Sequence, residues 1–186
     1  FLSRRTDYYT NVIRWCSKIF STVSSPYQIN NKVINNVSSS YQVKQLSSII
    51  NEYIDNVFKF EDKLSPLIIK RELLKIRFVG PKVANAYLLF TRKAMWITPC
   101  DIHYTRFIRR LNLLSEPYLQ PQKSLCIKFY GNCKDCPIST SCIEYRSVME
   151  YYFLSGWLQT VSYIHDRKYC RVDKCVECPF KERCVK

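Results

Sequence analysis

The sequence predicts an all-α fold on the strength of three observations. Apolar residues recur at intervals of three and four along the first hundred positions, which is the spacing of one buried helix face. No run of alternating apolar and polar residues marks a strand. The 186 residues include only 3 glycines, against a usual ~7%. So few glycines argue against a turn-rich β protein and against a glycine-rich nucleotide loop.

The first two predicted helices are each defined by one apolar face. Their apolar positions are Val12, Trp15, Cys16, Ile19 and Phe20, and then Val43, Leu46, Ile50, Tyr53, Ile54 and Val57. Ser25-Pro26 and Ser65-Pro66 are helix-start signals, because Ser caps and Pro fits the first turn. A short helix runs from Pro66 to about Ile76 and another begins at Pro81. Residues 66–92 are therefore predicted to form helix, hairpin, helix.

The second half of the chain alternates between helices and cysteine-rich segments. A helix is expected to begin at or just after Asp101. Residues 115–142 are predicted to be irregular, Tyr145 to about Ile164 one long helix, and the tail from Cys170 a loop. We expect two lobes, residues 1–95 and 96–186.

The chain carries 29 Lys and Arg against 15 Asp and Glu, a formal charge of +14. Such a charge favours a polyanionic partner, of which nucleic acid is the commonest. A hydrophobic content of 47% excludes a disordered basic tail. The apolar runs are too short to span a membrane, and no secretory segment is evident. We therefore expect an intracellular protein, in the cytoplasm or nucleoid, or in a nucleus, with no membrane partner.

Eight of the ten cysteines form two sets of four. The first quartet is Cys126, Cys133, Cys136 and Cys142, spaced C-x6-C-x2-C-x5-C. The second quartet is Cys170, Cys175, Cys178 and Cys184, spaced C-x4-C-x2-C-x5-C. Cys16 and Cys100 stand apart as buried small hydrophobes.

Four thiolates that converge on one centre suit a [4Fe–4S] cluster, and we expect one cluster in each quartet. A zinc site is the alternative, although four-cysteine zinc sites usually show two C-x2-C pairs and each quartet has one. A disulfide framework is a further alternative that fits poorly without an export signal.

Several motifs together resemble the endonuclease III family of helix-hairpin-helix DNA glycosylases. Gly80-Pro81-Lys82-Val83-Ala84 matches the family's G-x-K-x-A, and Cys100-Asp101-Ile102-His103 is similar to its V-D-T-H. Leu2-Ser3-Arg4-Arg5-Thr6 resembles L-S-x-x-T, and Ile164-His165-Asp166-Arg167 resembles the L-H-G-R before the family's cluster cysteines. The resemblance covers nearly the whole chain. It places the second quartet at the family's cluster position and makes the first quartet an insertion.

The resemblance implies a two-lobed helix-hairpin-helix glycosylase fold with the DNA groove between the lobes and C-terminal iron–sulfur loops. It implies a bifunctional DNA glycosylase and abasic-site lyase of base excision repair, a monomer acting on double-stranded DNA with a damaged or abasic site. An oxidised pyrimidine is the family's usual substrate. Lys82 and Asp101 are the implied catalytic residues. The DNA-binding candidates are Arg4, Arg5, Val79, Gly80, Lys82, His103, Arg171 and Lys174.

Lys82 has the chemistry of a nucleophile. An unprotonated amine attacks the sugar's anomeric carbon, expels the base and leaves a Schiff base that permits β-elimination. A helix's first turn disfavours a cation, which helps the amine to lose its proton. From position alone, Lys82 also fits a residue that merely pairs with phosphate. A fixed carboxylate at Asp101 would stabilise positive charge developing on the sugar, although an Asp before a helix is more commonly a simple N-cap.

Two departures from the family bear on function. The hairpin reads Ile76-Arg77-Phe78-Val79-Gly80, where the family has L-P-G-V-G, so Phe78 replaces a glycine. The family's H-G-R is His165-Asp166-Arg167 here. The alternatives are a mismatch or oxidised-purine glycosylase, a non-catalytic iron–sulfur DNA-binding protein, and a zinc-binding nucleic-acid module.

Overall fold

The computed structural model describes residues 1–4 and 6–185, and these form two compact units, Phe1–Val79 and Gly80–Lys186. The described residues contain helices and no strand, which confirms the predicted all-α class. The only β-type pairing among them is an isolated bridge between Leu119 and Cys142. No helix in this part of the chain is both long and apolar enough to cross a membrane.

The first unit is a small helical bundle. Its helices are α1 (Ile13–Phe20), α2 (Asn31–Asn35), α3 (Tyr41–Asn56) and α4 (Pro66–Lys75). Trp15 and Ile19 from α1 pack with Val43, Ile50 and Ile54 from α3 in one buried cluster. These are the apolar positions that the helical spacing identified. Ser40 and Ser65 cap α3 and α4 as N-cap residues.

The second unit contains five helices. They are α5 (Pro81–Thr91), α6 (Ile102–Arg110), α7 (Lys123–Lys128), α8 (Ile143–Tyr151) and α9 (Leu154–His165). Cys100, Tyr104, Ile108 and Ile143 form its buried cluster. The predicted helices that begin at Pro81 and just after Asp101 are both present.

The single long helix expected from Tyr145 to Ile164 is wrong, because the chain breaks at Tyr152. That residue takes a positive φ of 44°, which ends α8 and lets α9 begin at Leu154. Because α9 begins only at Leu154, Gly156 lies in its first turn and its N–H has no acceptor within the helix. This N–H donates instead to the Met95 carbonyl at 2.8 Å. A tertiary hydrogen bond that periodicity does not reveal thus replaces a local one.

The units divide between Val79 and Gly80, within the predicted hairpin, whereas the sequence placed the boundary at 95/96. Residues 80–95 belong to the second unit because they bond to it. The Met95 carbonyl accepts from Gly156, and the Asn85 side chain donates to the Thr98 carbonyl at 3.1 Å. The segment 115–142, expected to be irregular, also contains α7 and two short 3-10 turns, Cys133–Asp135 and Ser139–Ser141.

Candidate functional site

Lys82 and Asp101 lie side by side at the beginnings of two helices. Lys82 is in the first turn of α5, and Asp101 is the N-cap of α6. Lys82 Nζ and Asp101 Oδ2 are 4.0 Å apart. The lysine side chain is 47% exposed, whereas that of the aspartate is 7% exposed. A ligand can therefore reach the amine from solvent while the carboxylate is held within the protein.

The two oxygens of Asp101 have different surroundings. Oδ1 accepts a hydrogen bond from the Tyr104 backbone N–H at 2.8 Å, which is the N-cap bond of α6. Oδ2 accepts from Gln159 Nε2 at 3.4 Å and is the oxygen that faces Lys82. The N-cap role that the sequence left open is therefore present, and it leaves a second oxygen beside the amine.

Gln159 is a site residue that sequence reasoning missed. It lies within α9, is 6% exposed and donates to Asp101. Its Oε1 is buried without a hydrogen-bond partner among the described residues. A buried carbonyl oxygen left unpaired costs free energy, so it marks a place for a water or ligand donor. The sequence feature that could have indicated this role is a glutamine on the buried face of a largely apolar helix.

A buried hydrogen bond connects α5 to the segment that leads into α6. Asn85, one turn beyond Lys82, donates from Nδ2 to the carbonyl of Thr98. Both residues are fully buried. Thr98 precedes Asp101 by three residues, so this bond fixes the chain that leads into α6 against α5. The spacing of the lysine and the carboxylate is therefore set by a buried contact.

Gly80 is the N-cap of α5 and has open space where a side chain would stand. Its backbone is extended, with φ −107°, and a Cβ built on it meets no atom within 4 Å. Neither its conformation nor its packing requires glycine. A glycine at this position leaves room for the backbone of a ligand to approach the beginning of α5.

Phe78 in the hairpin segment has φ 64°. A phenylalanine therefore adopts the left-handed conformation that glycine favours, at a cost of about 1 kcal/mol. The Arg77 guanidinium lies 4.6 Å from the centre of the Phe78 ring. The expected loss of backbone freedom at Phe78 has not removed this turn conformation.

The three DNA-binding candidates of the first unit are Arg4, Arg5 and Val79, and the two that the structure describes form hydrogen bonds within that unit. Arg4 donates to the Phe78 carbonyl at 3.1 Å and to Gln45 Oε1 at 2.5 Å. Val79 is buried, and its N–H donates to the Ile76 carbonyl. Arg5 lies outside the described residues. The structure thus gives Arg4 a role in holding the hairpin carbonyl at Phe78.

His103 contacts a buried carboxylate that the family resemblance did not include. Its Nδ1 lies 2.6 Å from Asp166 Oδ2, and Arg106 donates to both oxygens of Asp166 at 2.7 and 2.8 Å. Asp166 is 1% exposed. Asp166 therefore binds two side chains of α6. Sequence reasoning noted the substitution without finding this contact.

Two cysteines of the second quartet, Cys170 and Cys178, lie beside His165. His165 Nε2 is 3.2 Å from Cys178 Sγ, and Nδ1 is 3.7 Å from Cys170 Sγ. Burial raises the pKa of the Cys170 thiol, and the hydrogen bond from Arg110 opposes this rise. Burial lowers the pKa of His165, and the Asp166 charge opposes the shift.

The first quartet surrounds one cavity in the second unit. All four of its cysteines line this cavity. Burial raises the pKa of the Cys142 thiol, and the backbone amides of Tyr145 and Glu144 oppose this effect.

Within residues 1–4 and 6–185, no three His, Cys, Asp or Glu side chains are grouped so as to hold a single metal ion. The second quartet offers four thiols, the donor type that iron–sulfur clusters use, and Cys170 and Cys178 both contact the His165 imidazole. Cys175 is exposed and Cys178 is buried, so the set extends from the interior to the surface.

The two remaining basic candidates lie on the surface. Arg171 and Lys174 are exposed, and Lys174 forms a loose surface pair with Glu177 at 3.8 Å. Both follow Cys170 in the chain, so they belong to the second quartet's segment.

Comparison with protein-family models, curated proteins and solved structures gives no match.

Proposed function

We propose that the protein is a bifunctional DNA glycosylase and abasic-site lyase of base excision repair. The observation that carries the proposal is the 4.0 Å approach of Lys82 Nζ to Asp101 Oδ2. The lysine is open to solvent, the carboxylate is fixed by its cap bond, and the sequence motifs around both resemble those of endonuclease III.

Lys82 supplies the nucleophile in this proposal. Its unprotonated Nζ attacks C1′ of the deoxyribose as the C1′–N bond to the damaged base breaks, and the base leaves with the bonding electrons and gains a proton. Loss of a proton from nitrogen and opening of the sugar ring give a Schiff base. Removal of a C2′ proton then expels the 3′ phosphate by β-elimination.

Asp101 supplies a fixed negative charge beside the reacting carbon. Positive charge develops on the sugar as the base departs, and a preorganised carboxylate stabilises it more than it stabilises the neutral ground state. The hydrogen bonds from the Tyr104 N–H and the Gln159 amide hold this carboxylate in a fixed orientation. It also offers a place for the proton that Lys82 must lose.

Duplex DNA with a damaged or abasic site is the proposed substrate, and an oxidised pyrimidine is the proposed default lesion. The charge of +14 supports binding to phosphates. The open space at Gly80 allows a phosphate to approach the beginning of α5, where the helix dipole favours an anion. Arg171 and Lys174 add exposed positive charge. We propose that His103, whose imidazole contacts Asp166, also lies toward the phosphates of the bound DNA.

A [4Fe–4S] cluster is the proposed cofactor of the second quartet. Cys170, Cys175, Cys178 and Cys184 would hold it, with zinc as the alternative occupant. Such a cluster would serve a structural role by holding the basic segment that contains Arg171 and Lys174. The proposed enzyme acts as a monomer inside the cell.

The test is cleavage of a duplex that contains one abasic site, by wild type and by Lys82→Ala. We expect a β-elimination product from the wild type and a loss of at least about 100-fold in the variant. The matched control is Lys44→Ala, which removes the same charge from an exposed position of α3 and should leave cleavage unchanged.

DNA binding without cleavage by the wild type would contradict the lyase and favour the non-catalytic iron–sulfur DNA-binding protein. If cleavage is found, duplexes with oxidised pyrimidine, oxidised purine or a mismatched base identify the lesion. Preference for a mismatch or an oxidised purine would replace the default substrate.

A further inference from the structure

We propose that the first quartet is a separate iron–sulfur site, distinct from the cluster that the family resemblance places in the second quartet. The segment 119–143 is built as a closed loop around the cavity that the four cysteines line. This inference does not depend on the proposed chemistry at Lys82.

The ends of the segment are joined by backbone hydrogen bonds. The Leu119 N–H donates to the Ser141 carbonyl at 2.7 Å, and the Ile143 N–H donates to the Leu119 carbonyl at 2.9 Å. These bonds place Cys142 at the closure of the loop. The loop is therefore anchored at both ends to the beginning of α8.

A tight reversal inside the segment brings the first two cysteines to the same cavity. Tyr130 and Gly131 both have positive φ, 52° and 73°. The Gly131 N–H donates to the Cys126 carbonyl at 2.9 Å, so the chain turns back directly after α7. A tyrosine in this conformation costs about 1 kcal/mol.

The second and third cysteines of the quartet are presented by one short turn. Cys133 begins a 3-10 turn that ends before Cys136, and the Cys136 N–H donates to the Cys133 carbonyl at 3.2 Å. Leu125, Phe129 and Ile138 complete much of the cavity wall. Thiols set in an apolar wall are the surroundings in which iron–sulfur clusters are commonly held.

The arrangement favours a cluster over a single ion. A four-cysteine zinc site usually presents two C-x2-C pairs, whereas the first quartet has one. A cluster instead distributes the four thiolates over four irons and occupies volume between them. The segment also carries three lysines, Lys123, Lys128 and Lys134, against one acid, Asp135, which offsets the negative charge of a thiolate-bound cluster.

Iron and acid-labile sulfide are counted on anaerobically purified full-length protein without DNA. We expect about eight of each per chain and absorbance near ~400 nm. The Cys133→Ser/Cys136→Ser variant should retain about four irons, and so should Cys175→Ser/Cys178→Ser. Cys16→Ser is the matched control, because Cys16 lies in α1 outside both quartets, and it should retain all of the iron.

About eight irons in the wild type would support a cluster in each quartet even if one variant fails to fold. About four irons in the wild type, all lost from the second-quartet variant and kept by the first-quartet variant, would overturn the proposal. About one zinc per chain that disappears with the first-quartet substitutions would also overturn it. Lys82→Ala should leave the iron count unchanged, so failure of the lyase proposal and failure of this one are distinguishable.

Discussion

Lys82 Nζ lies 4.0 Å from Asp101 Oδ2, and each residue stands at the beginning of its own helix. Nineteen positions separate them in the chain, so the approach is made by the fold rather than by local sequence. Asn85 bonded to Thr98 fixes one side of this approach, and Gln159 bonded to Asp101 fixes the other. The pair is thus a preorganised cation and anion, open to solvent at the amine.

Gly80→Ala should weaken DNA binding without destabilising the fold. The added Cβ meets nothing within 4 Å in the protein, so the free energy of unfolding should change by less than about 1 kcal/mol. A phosphate that approaches the beginning of α5 would meet the methyl group, and we expect the Kd for duplex DNA to rise about tenfold. Fluorescence anisotropy and chemical denaturation measure the two effects.

Gly156→Ala is the positive control for the stability measurement, because here the added methyl group has no room. Its Cβ would lie 2.7 Å from Leu89 Cδ1 and 2.7 Å from the Met95 carbonyl oxygen, so the backbone must shift. We expect a loss of about 1–3 kcal/mol in the free energy of unfolding. Equal DNA binding by Gly80→Ala and wild type would show that no ligand approaches Gly80 closely.

Asp101→Asn should separate the cap from the charge. Asparagine caps helices as well as aspartate does, so α6 and thermal stability should be preserved. The negative charge beside the reacting carbon is lost, and we expect single-turnover base excision to slow by about 100-fold or more. Asp101→Ala, which removes cap and charge together, should in addition lower the melting temperature. An Asp101→Asn rate within threefold of wild type would exclude electrostatic catalysis by Asp101.

Asp166→Asn should destabilise the second unit. Asp166 is buried and accepts from His103 and from Arg106, so its neutral amide leaves two basic partners poorly matched. We expect a loss of about 2–4 kcal/mol in the free energy of unfolding. Asp62→Asn, at an exposed position, is the control and should change stability little. A loss below about 0.5 kcal/mol at Asp166 would contradict this structural role.

The helices were predictable where one apolar face or one cap determines them. The caps at Ser65 and Asp101 and the stripe from Val43 to Ile54 depend on local spacing, and the structure contains them. The break at Tyr152 was not predictable, because the hydrogen bond from Gly156 to Met95 joins residues far apart in sequence.

The candidate site divides in the same way. Lys82 and Asp101 are the residues that the motifs mark, and the structure places their side chains 4.0 Å apart. Gln159 and the partners of Asp166 were missed because their roles come from long-range hydrogen bonds to α6, for which the sequence offers no spacing rule.

Trapping of the Schiff base tests the central claim most directly. Borohydride is added to the protein with a duplex that bears one abasic site, the covalent adduct is digested, and the modified peptide is identified by mass spectrometry. We expect a reduced adduct on Lys82 in the wild type and none in Lys82→Ala. An adduct on another lysine, or no adduct while the DNA remains bound, would contradict Lys82 as the nucleophile.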